Sequence, residues 1–142
     1  MAQGAFSDDA NVVLFGGLEG VGSGRIDVMG QKIDVSGLGL NEQTLQPRVG
    51  RVVYVEAKRN GDGVPTAVSV QTFEELSIPG ATPVFVRGSV DDVNNVTGRV
   101  SIGSLHIDIT NVQDASPVVG EDVTITGTQP LPSGLILGSA RL

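Results

Sequence analysis

Apolar and polar residues alternate with a period of two along most of the chain, and helical spacing is nearly absent. Val12 to Gly16 is an apolar run. Arg25 to Met29 and Lys32 to Ser36 alternate polar with apolar. Arg51 to Arg59 sets Val53 and Val55 on one face, and Thr66 to Phe73 sets Val68 and Val70 on one face. These stretches predict strands. Asn60-Gly61-Asp62-Gly63 predicts a hairpin turn between the last two, because Asn and Gly tolerate the positive φ of primed turns. Gly30-Gln31 predicts the turn of the preceding pair. The second half follows the same order. A strand is predicted over Val84–Val93 and a turn at Asn94-Asn95. Arg99–Ile102 and Leu105–Thr110 form a hairpin around Gly103-Ser104. Asp122–Gly127 is a strand, Pro130–Gly134 a turn, and Leu135–Leu142 closes the half. The connector Gly37–Gln46 is the one stretch whose pattern admits a short helix.

The two halves echo each other. GRIDVMGQKIDVS at Gly24–Ser36 aligns without a gap on GRVSIGSLHIDIT at Gly98–Thr110. Gly24/Gly98, Arg25/Arg99, Ile33/Ile107 and Asp34/Asp108 are identical, and Ile26/Val100, Val28/Ile102, Val35/Ile109 and Ser36/Thr110 are close exchanges. Further on, the segment from Pro47 to Val55 matches the segment from Pro117 to Ile125. A copied fold unit explains this most simply, since each copy then puts the same side chains on the same face. The expected architecture is all-β: two tandem five-stranded barrels of the OB or SH3 kind, related by internal duplication. An N-terminal arm covers residues 1–11, the first barrel 12–79 and the second 80–142. Glu74–Pro83 is the predicted linker, with the boundary near Gly80. The β-prone segment Ala10–Phe15 is expected to add a strand to a sheet edge, in its own chain or a neighbouring copy.

Composition supports short strands and tight turns: of the 142 residues, 20 are Gly and 39% are apolar. Aromatics are few, at four Phe, one Tyr and no Trp, which weighs against stacking platforms for bases or sugars. The net charge of −7 disfavours nucleic acid and anionic membrane surfaces. The absence of cysteine excludes disulfides, zinc–thiolate sites, thiol nucleophiles and iron–sulfur clusters, and leaves the redox compartment open. No apolar run approaches the roughly 18 residues of a membrane-spanning helix, so no membrane insertion is expected.

No set of residues forms a catalytic constellation, and no catalytic, cofactor-binding or metal-ligating residue is expected. His106 is the single histidine, on the strand face opposite Ile107, and reads as solvent-facing or packed against a turn. Asp91-Asp92 with Asn94-Asn95 is oxygen-rich but lacks the spacing of a calcium loop, and reads as an Asx turn. Asp34 and Asp108 hold equivalent places and read as acceptors for a turn, with Arg25 and Arg99 as surface partners of nearby carboxylates. Gly20-Val-Gly-Ser-Gly24 lacks the Lys-Ser/Thr pair of a phosphate loop and leads into a strand. Asn95-Val96-Thr97 matches a glycosylation acceptor, a tripeptide common by chance.

The glycines and alternating valines resemble the bacterial family catalogued as domain of unknown function 5666. The first copy supplies Gly20 to Gly30, Asp34, Val49-Gly50, Val53, Val55, Asp62-Gly63 and Ala67. The second supplies Gly88, Val90, Asp91, Gly98, Asp108, Val119-Gly120, Val123, Gly127 and Ala140. The resemblance covers residues 12–142. It implies tandem copies, a place beyond the cytoplasmic membrane and no established activity. MAQGAFSDD has neither a basic nor an apolar signal region, so an extracytoplasmic location requires a signal removed before Met1. The expected function is a non-catalytic extracytoplasmic structural or assembly module. Its expected partners are a second copy or another envelope protein. The alternative is an OB-like module holding an oligosaccharide or small ligand on a barrel face. A hydrolase built on Asp34 and Asp108 is the third reading.

Overall fold

The computed structural model describes residues 10–59, 64–113, 116–131 and 134–142. The first half carries β1 (Val12–Gly22), β2 (Arg25–Val28), β3 (Gln31–Asp34), β4 (Arg51–Lys58) and β5 (Thr66–Leu76). The second carries β6 (Val84–Ser89), β7 (Asp92–Asn94), β8 (Arg99–Ile102), β9 (Leu105–Asp108), β10 (Asp122–Thr128) and β11 (Ile136–Arg141). The protein is all-β, as the alternation predicts. One helical turn, α1 (Glu42–Leu45), sits in the connector after β3, with the Asn41 carboxamide oxygen accepting from the Gln43 amide. No helix among the described residues is long and apolar enough to cross a membrane.

The eleven strands form one mixed sheet in the order β2-β3-β5-β4-β1-β6-β10-β11-β9-β8-β7, and β2 also pairs back onto β1. In the first half the pairings run β1–β2–β3–β5–β4–β1, with β3–β5 parallel through Asp34 and Thr66. In the second half β6–β10–β11–β9–β8–β7 repeats that order, with β11–β9 again parallel, and β7 follows β6 after two residues. Backbone details recur as well. Gly24 and Gly98 have φ of 67° and 69°, and Gly50 and Gly120 have 91° and 90°. The register shifts at Glu56/Ala57 in the β4–β5 pair and at Thr126/Gly127 in the β10–β11 pair.

Two separate sheets were the expectation; the sheet is instead continuous across the halves. Val12–Gly17 of β1 pairs with β4 on one edge, and Val13–Phe15 with β6 on the other. Most buried apolar residues of both halves accordingly form one contiguous cluster. This corrects the role expected of Ala10–Phe15. Val12–Phe15 is no appended edge strand but the centre of the sheet, and both its edges are already satisfied within the chain.

Three local expectations shift for identifiable reasons. The first hairpin turns at Met29-Gly30 (φ 54° and 88°), and Gln31 opens β3. The buried Met29 side chain lies where a Cβ on Gly16 would come within 2.3 Å of its sulfur, so Gly16 makes the room. The strand expected over Val84–Val93 breaks at Val90-Asp91. There the Asp91 carboxylate turns aside to Arg59 of the other half and accepts from the Gly103 amide at 2.6 Å. β5 runs on to Leu76, so Glu74–Leu76 of the predicted linker is strand. The turn expected at Asn60–Gly63 lies outside the described residues.

Candidate functional site

Joining the halves through β1 and β6 creates a broad antiparallel surface, and its cross-strand rows sort residues by face. Val70, Val55, Leu14, Val86 and Ile125 are successive partners across β5, β4, β1, β6 and β10, and they point into the core. The adjacent row is Gln71, Tyr54, Phe15, Phe85 and Thr126, and it points the opposite way. Phe73 joins this outer row, its ring 6.0 Å from Phe15 in an edge-to-face arrangement at 62°. The described aromatics, Phe15, Tyr54, Phe73 and Phe85, thus all lie on the non-core face, each half-buried.

Beside the strip runs a row that is polar except at its centre, the buried Val13: Ser69, Glu56, Val13, Arg87 and Thr124. Glu56 is buried on this face. Its Oε1 accepts from Ser69 Oγ at 2.9 Å and its Oε2 from the Tyr54 hydroxyl at 3.2 Å. Burial first, and then the negative Glu56 beside it, push the Tyr54 phenol above its ordinary pKa. The hydroxyl therefore stays protonated and donating at neutral pH. Arg87 donates through Nη2 to Asp122 Oδ2 at 3.0 Å. The surface is thus an aromatic strip whose polar neighbours are held in place by their own hydrogen bonds.

The residues singled out by the sequence lie elsewhere. Asp34 Oδ1 accepts from the Ser36 amide at 2.9 Å and its hydroxyl at 2.6 Å. Asp108 Oδ1 accepts from the Thr110 amide at 2.9 Å and its hydroxyl at 2.7 Å. Both are turn acceptors, as expected. Arg25 stands across from Asp34 and Arg99 across from Asp108 in the β2–β3 and β8–β9 registers. His106 is exposed on β9, with Nδ1 3.1 Å from Ser101 Oγ. Asp91 is committed to Arg59 and Gly103, while Asp92 is exposed on β7. Asn94 Oδ1 accepts from the amides of Val96 and Thr97 at 3.0 and 3.1 Å, the expected Asx turn, which leaves Asn95 and Val96 exposed. Gly20–Gly24 spans the end of β1 and its turn into β2. Among the described residues no three His, Asp or Glu side chains gather as a metal site would need.

The turn carboxylates set an acid limit on stability. Hydrogen bonds from Ser36 and Thr110 hold Asp34 and Asp108 below the usual carboxylate range, and those from the Arg59 and Arg141 guanidinium groups do the same for Asp91 and Glu121. A carboxyl whose folded pKa is depressed stabilises the fold above its unfolded pKa and loses that contribution as pH falls through the folded value. Urea midpoints are expected to be flat across neutral pH and to fall below about pH 4. A midpoint that stayed constant down to about pH 2.5 would contradict these assignments.

A comparison with known proteins finds an alanine racemase of Nitrosospira multiformis, 32% identical over 91 residues. The match covers 62% of this chain and 24% of the racemase, so the chain spans about a quarter of that protein's length. No protein family matches the chain. No solved structure matches it either.

Proposed function

We propose that the protein is a non-catalytic extracytoplasmic assembly module, built from two OB-like barrels that arose by duplication, which self-associates through its aromatic face. The duplication reading is supported by the repeated pairing order, the paired glycine angles, the matching register shifts and the Asp34/Asp108 turn acceptors. The extracytoplasmic placement rests on the family resemblance of the glycine and valine pattern. The observation that carries the function is that Phe15, Tyr54, Phe73 and Phe85 gather on the solvent side of the one sheet region spanning both halves. Half-buried aromatics beside an Arg are the composition of interface centres. Val12–Phe15 is paired on both edges, so association does not use this segment as an added strand, and the aromatic face is the contact surface. A two-fold arrangement sets one strip on its copy.

Light scattering across a concentration series tests this. The wild-type chain is expected to form a dimer, and Phe85→Thr, which keeps a β-favouring residue, a monomer with unchanged far-UV circular dichroism. A wild-type chain that stays monomeric throughout the series rejects self-association. The second reading, an oligosaccharide held on the same strip, is favoured by the Tyr54, Glu56 and Ser69 hydrogen-bonding groups beside the rings. It requires glycan-array binding that Phe85→Thr abolishes. The racemase match supplies only a short stretch of that enzyme, and its activity is not part of the proposal.

A further inference from the structure

The two halves match strand for strand except along one edge. In the first half β5 accompanies β4 back to its first residue: Tyr54 pairs with Gln71, Val53 with Thr72 and Arg51 with Leu76. The chain then crosses the end of β1, and the Ser77 amide donates to Gly50 O at 2.8 Å. In the second half β11 accompanies β10 only from Thr128 to Ile125, and the Leu142 amide donates to Thr124 O at 2.9 Å. Among the described residues, nothing pairs with Asp122 and Val123 on that side, and nothing donates to Gly120 O. Their other side is taken by Ser89 and Gly88 of β6. The two places are equivalent: the Gly50 amide donates to Leu18 O and the Gly120 amide to Val90 O, both at 2.8 Å.

The surroundings correspond as well. In the first half the crossing segment closes over a cavity of about 220 Å³ lined in part by Gly17, Val49, Ile78, Val84 and Gln129. In the second half Asn11, Val12, Arg59 and Ser89 line a hollow of about 150 Å³. Ser89 stands opposite Asp122 as Gly17 stands opposite Val52, and Val12 stands opposite Ala57 as Val84 stands opposite Gly127. Arg59 follows β4 directly, as Gln129 follows β10. The apolar rim differs in exposure. Val49, beside Ile78, is 36% exposed, whereas its counterpart Val119 is 64% and the neighbouring Val118 63% exposed.

We propose that the open edge of β10 receives an extended peptide segment of a partner protein, laid antiparallel on Asp122 and Val123 as Thr72–Ile78 lies on β4. The first half shows what such a segment must carry. An amide in the place of Ser77 donates to Gly120 O, and a branched aliphatic side chain in the place of Ile78 covers Val119. The place of Glu74 sets the charge. Arg48 Nη1 donates to Glu74 Oε1 at 2.6 Å, and Arg51 lies 3.8 Å from Oε2. Their counterparts are Val118 and Glu121, and Glu121 already accepts from Arg141 and from the Val118 amide. A carboxylate there would meet no free cation, whereas an aliphatic side chain would cover Val118. The partner segment is therefore aliphatic where the chain's own is acidic. The Arg59 end contributes no backbone bond of the kind Gly80 makes to Gln129 O, because Asn11 Nδ2 already donates to Arg59 O at 3.1 Å. This edge is separate from the aromatic face and does not depend on the function proposed for it.

Capped nine-residue peptides test the proposal by amide chemical-shift titration of the full chain. TFEELSIPG copies residues 72–80, and TFVELSIPG carries Glu74→Val. TFVELSIPG is expected to perturb Val119, Gly120, Asp122 and Val123 while leaving Gly50 and Val53 unmoved. It should bind about three- to tenfold more tightly than TFEELSIPG. Methylating the serine amide of TFVELSIPG removes the donor to Gly120 O and should weaken binding about tenfold. Val119→Asp, a change at an exposed position, should weaken it by a similar factor. Absence of perturbation at millimolar peptide, perturbation confined to other residues, or equal affinity for the methylated peptide would overturn the proposal. So would shifts at Gly120 and Val123 that change on diluting the chain alone, because a second copy would then occupy the edge.

Discussion

Gly127→Ala is expected to destabilise the fold by about 3 kcal/mol or more, the upper range for overpacking. A Cβ at Gly127 would lie 2.1 Å from Leu137 O, 2.9 Å from Leu137 C and 3.0 Å from Gly138 Cα. These are backbone atoms, so no rotamer change relieves the clash; β11 itself must move. It has nowhere to go, because its other edge pairs in parallel with β9 through Ile136–Ile107 and Leu137–Asp108. A Cβ on Gly138 would already sit 3.0 Å from Asp108 O. The register shift between Thr126 and Gly127 is what brings β11 so close. Gly37→Ala is the control: its added Cβ meets nothing within 4 Å, and its φ is outside the left-handed region. Urea unfolding of the two variants should separate them by most of that amount. A Gly127→Ala variant within about 0.5 kcal/mol of wild type, the scatter of neutral surface changes, would mean the β10–β11 bulge is wrongly placed.

Much of this fold is legible in the alternation, and the reason is local. Val53/Val55, Ile33/Ile107 and Val123/Ile125 sit on the buried face because a strand gives its side chains no other choice. The Asp34 and Asp108 turns are legible because each Asp is followed two residues later by Ser or Thr, a self-contained hydrogen-bonding unit. The pairing of β1 with β6 is not legible. It depends on two edges that each half alone leaves open, and edge matching leaves no mark in either strand. The candidate surface was missed for a different reason. Counting aromatics argued against any platform, whereas their parity argues for one. Phe15 follows Leu14, Tyr54 lies between Val53 and Val55, and Phe85 lies between Val84 and Val86, so each is out of phase with its core neighbours. Large rings on the solvent phase of three strands were the available signal. That the three strands would be neighbours was beyond the alternation, because it follows from the β1–β6 junction. The bulge at Glu19, where β1 slips against β2 between Leu18 and Gly20, was equally hidden, since a register slip depends on the partner strand as much as on its own residues.

Ile107→Ala tests whether the shared sheet makes one cooperative unit. Ile107 is fully buried, as is its counterpart Ile33, and each stands opposite an apolar partner across its hairpin, Val100 and Ile26. Truncating such a side chain removes transfer free energy and leaves a cavity, at a cost of about 2–5 kcal/mol. The informative part is where the loss is seen. Tyr54 is the chain's single tyrosine and lies on β4, in the half opposite to Ile107. With one contiguous core and a sheet continuous through β1–β6, loss of packing at β9 must be felt at Tyr54. Tyrosine fluorescence and far-UV circular dichroism should therefore give one coincident transition, at a lower urea midpoint than wild type, in both Ile107→Ala and Ile33→Ala. Independent barrels would behave otherwise. In Ile107→Ala the circular dichroism would unfold in two steps, and Tyr54 would keep the wild-type midpoint. That outcome would reduce the β1–β6 pairing to a contact between autonomous units, and it would remove the rigid joint on which the aromatic face depends.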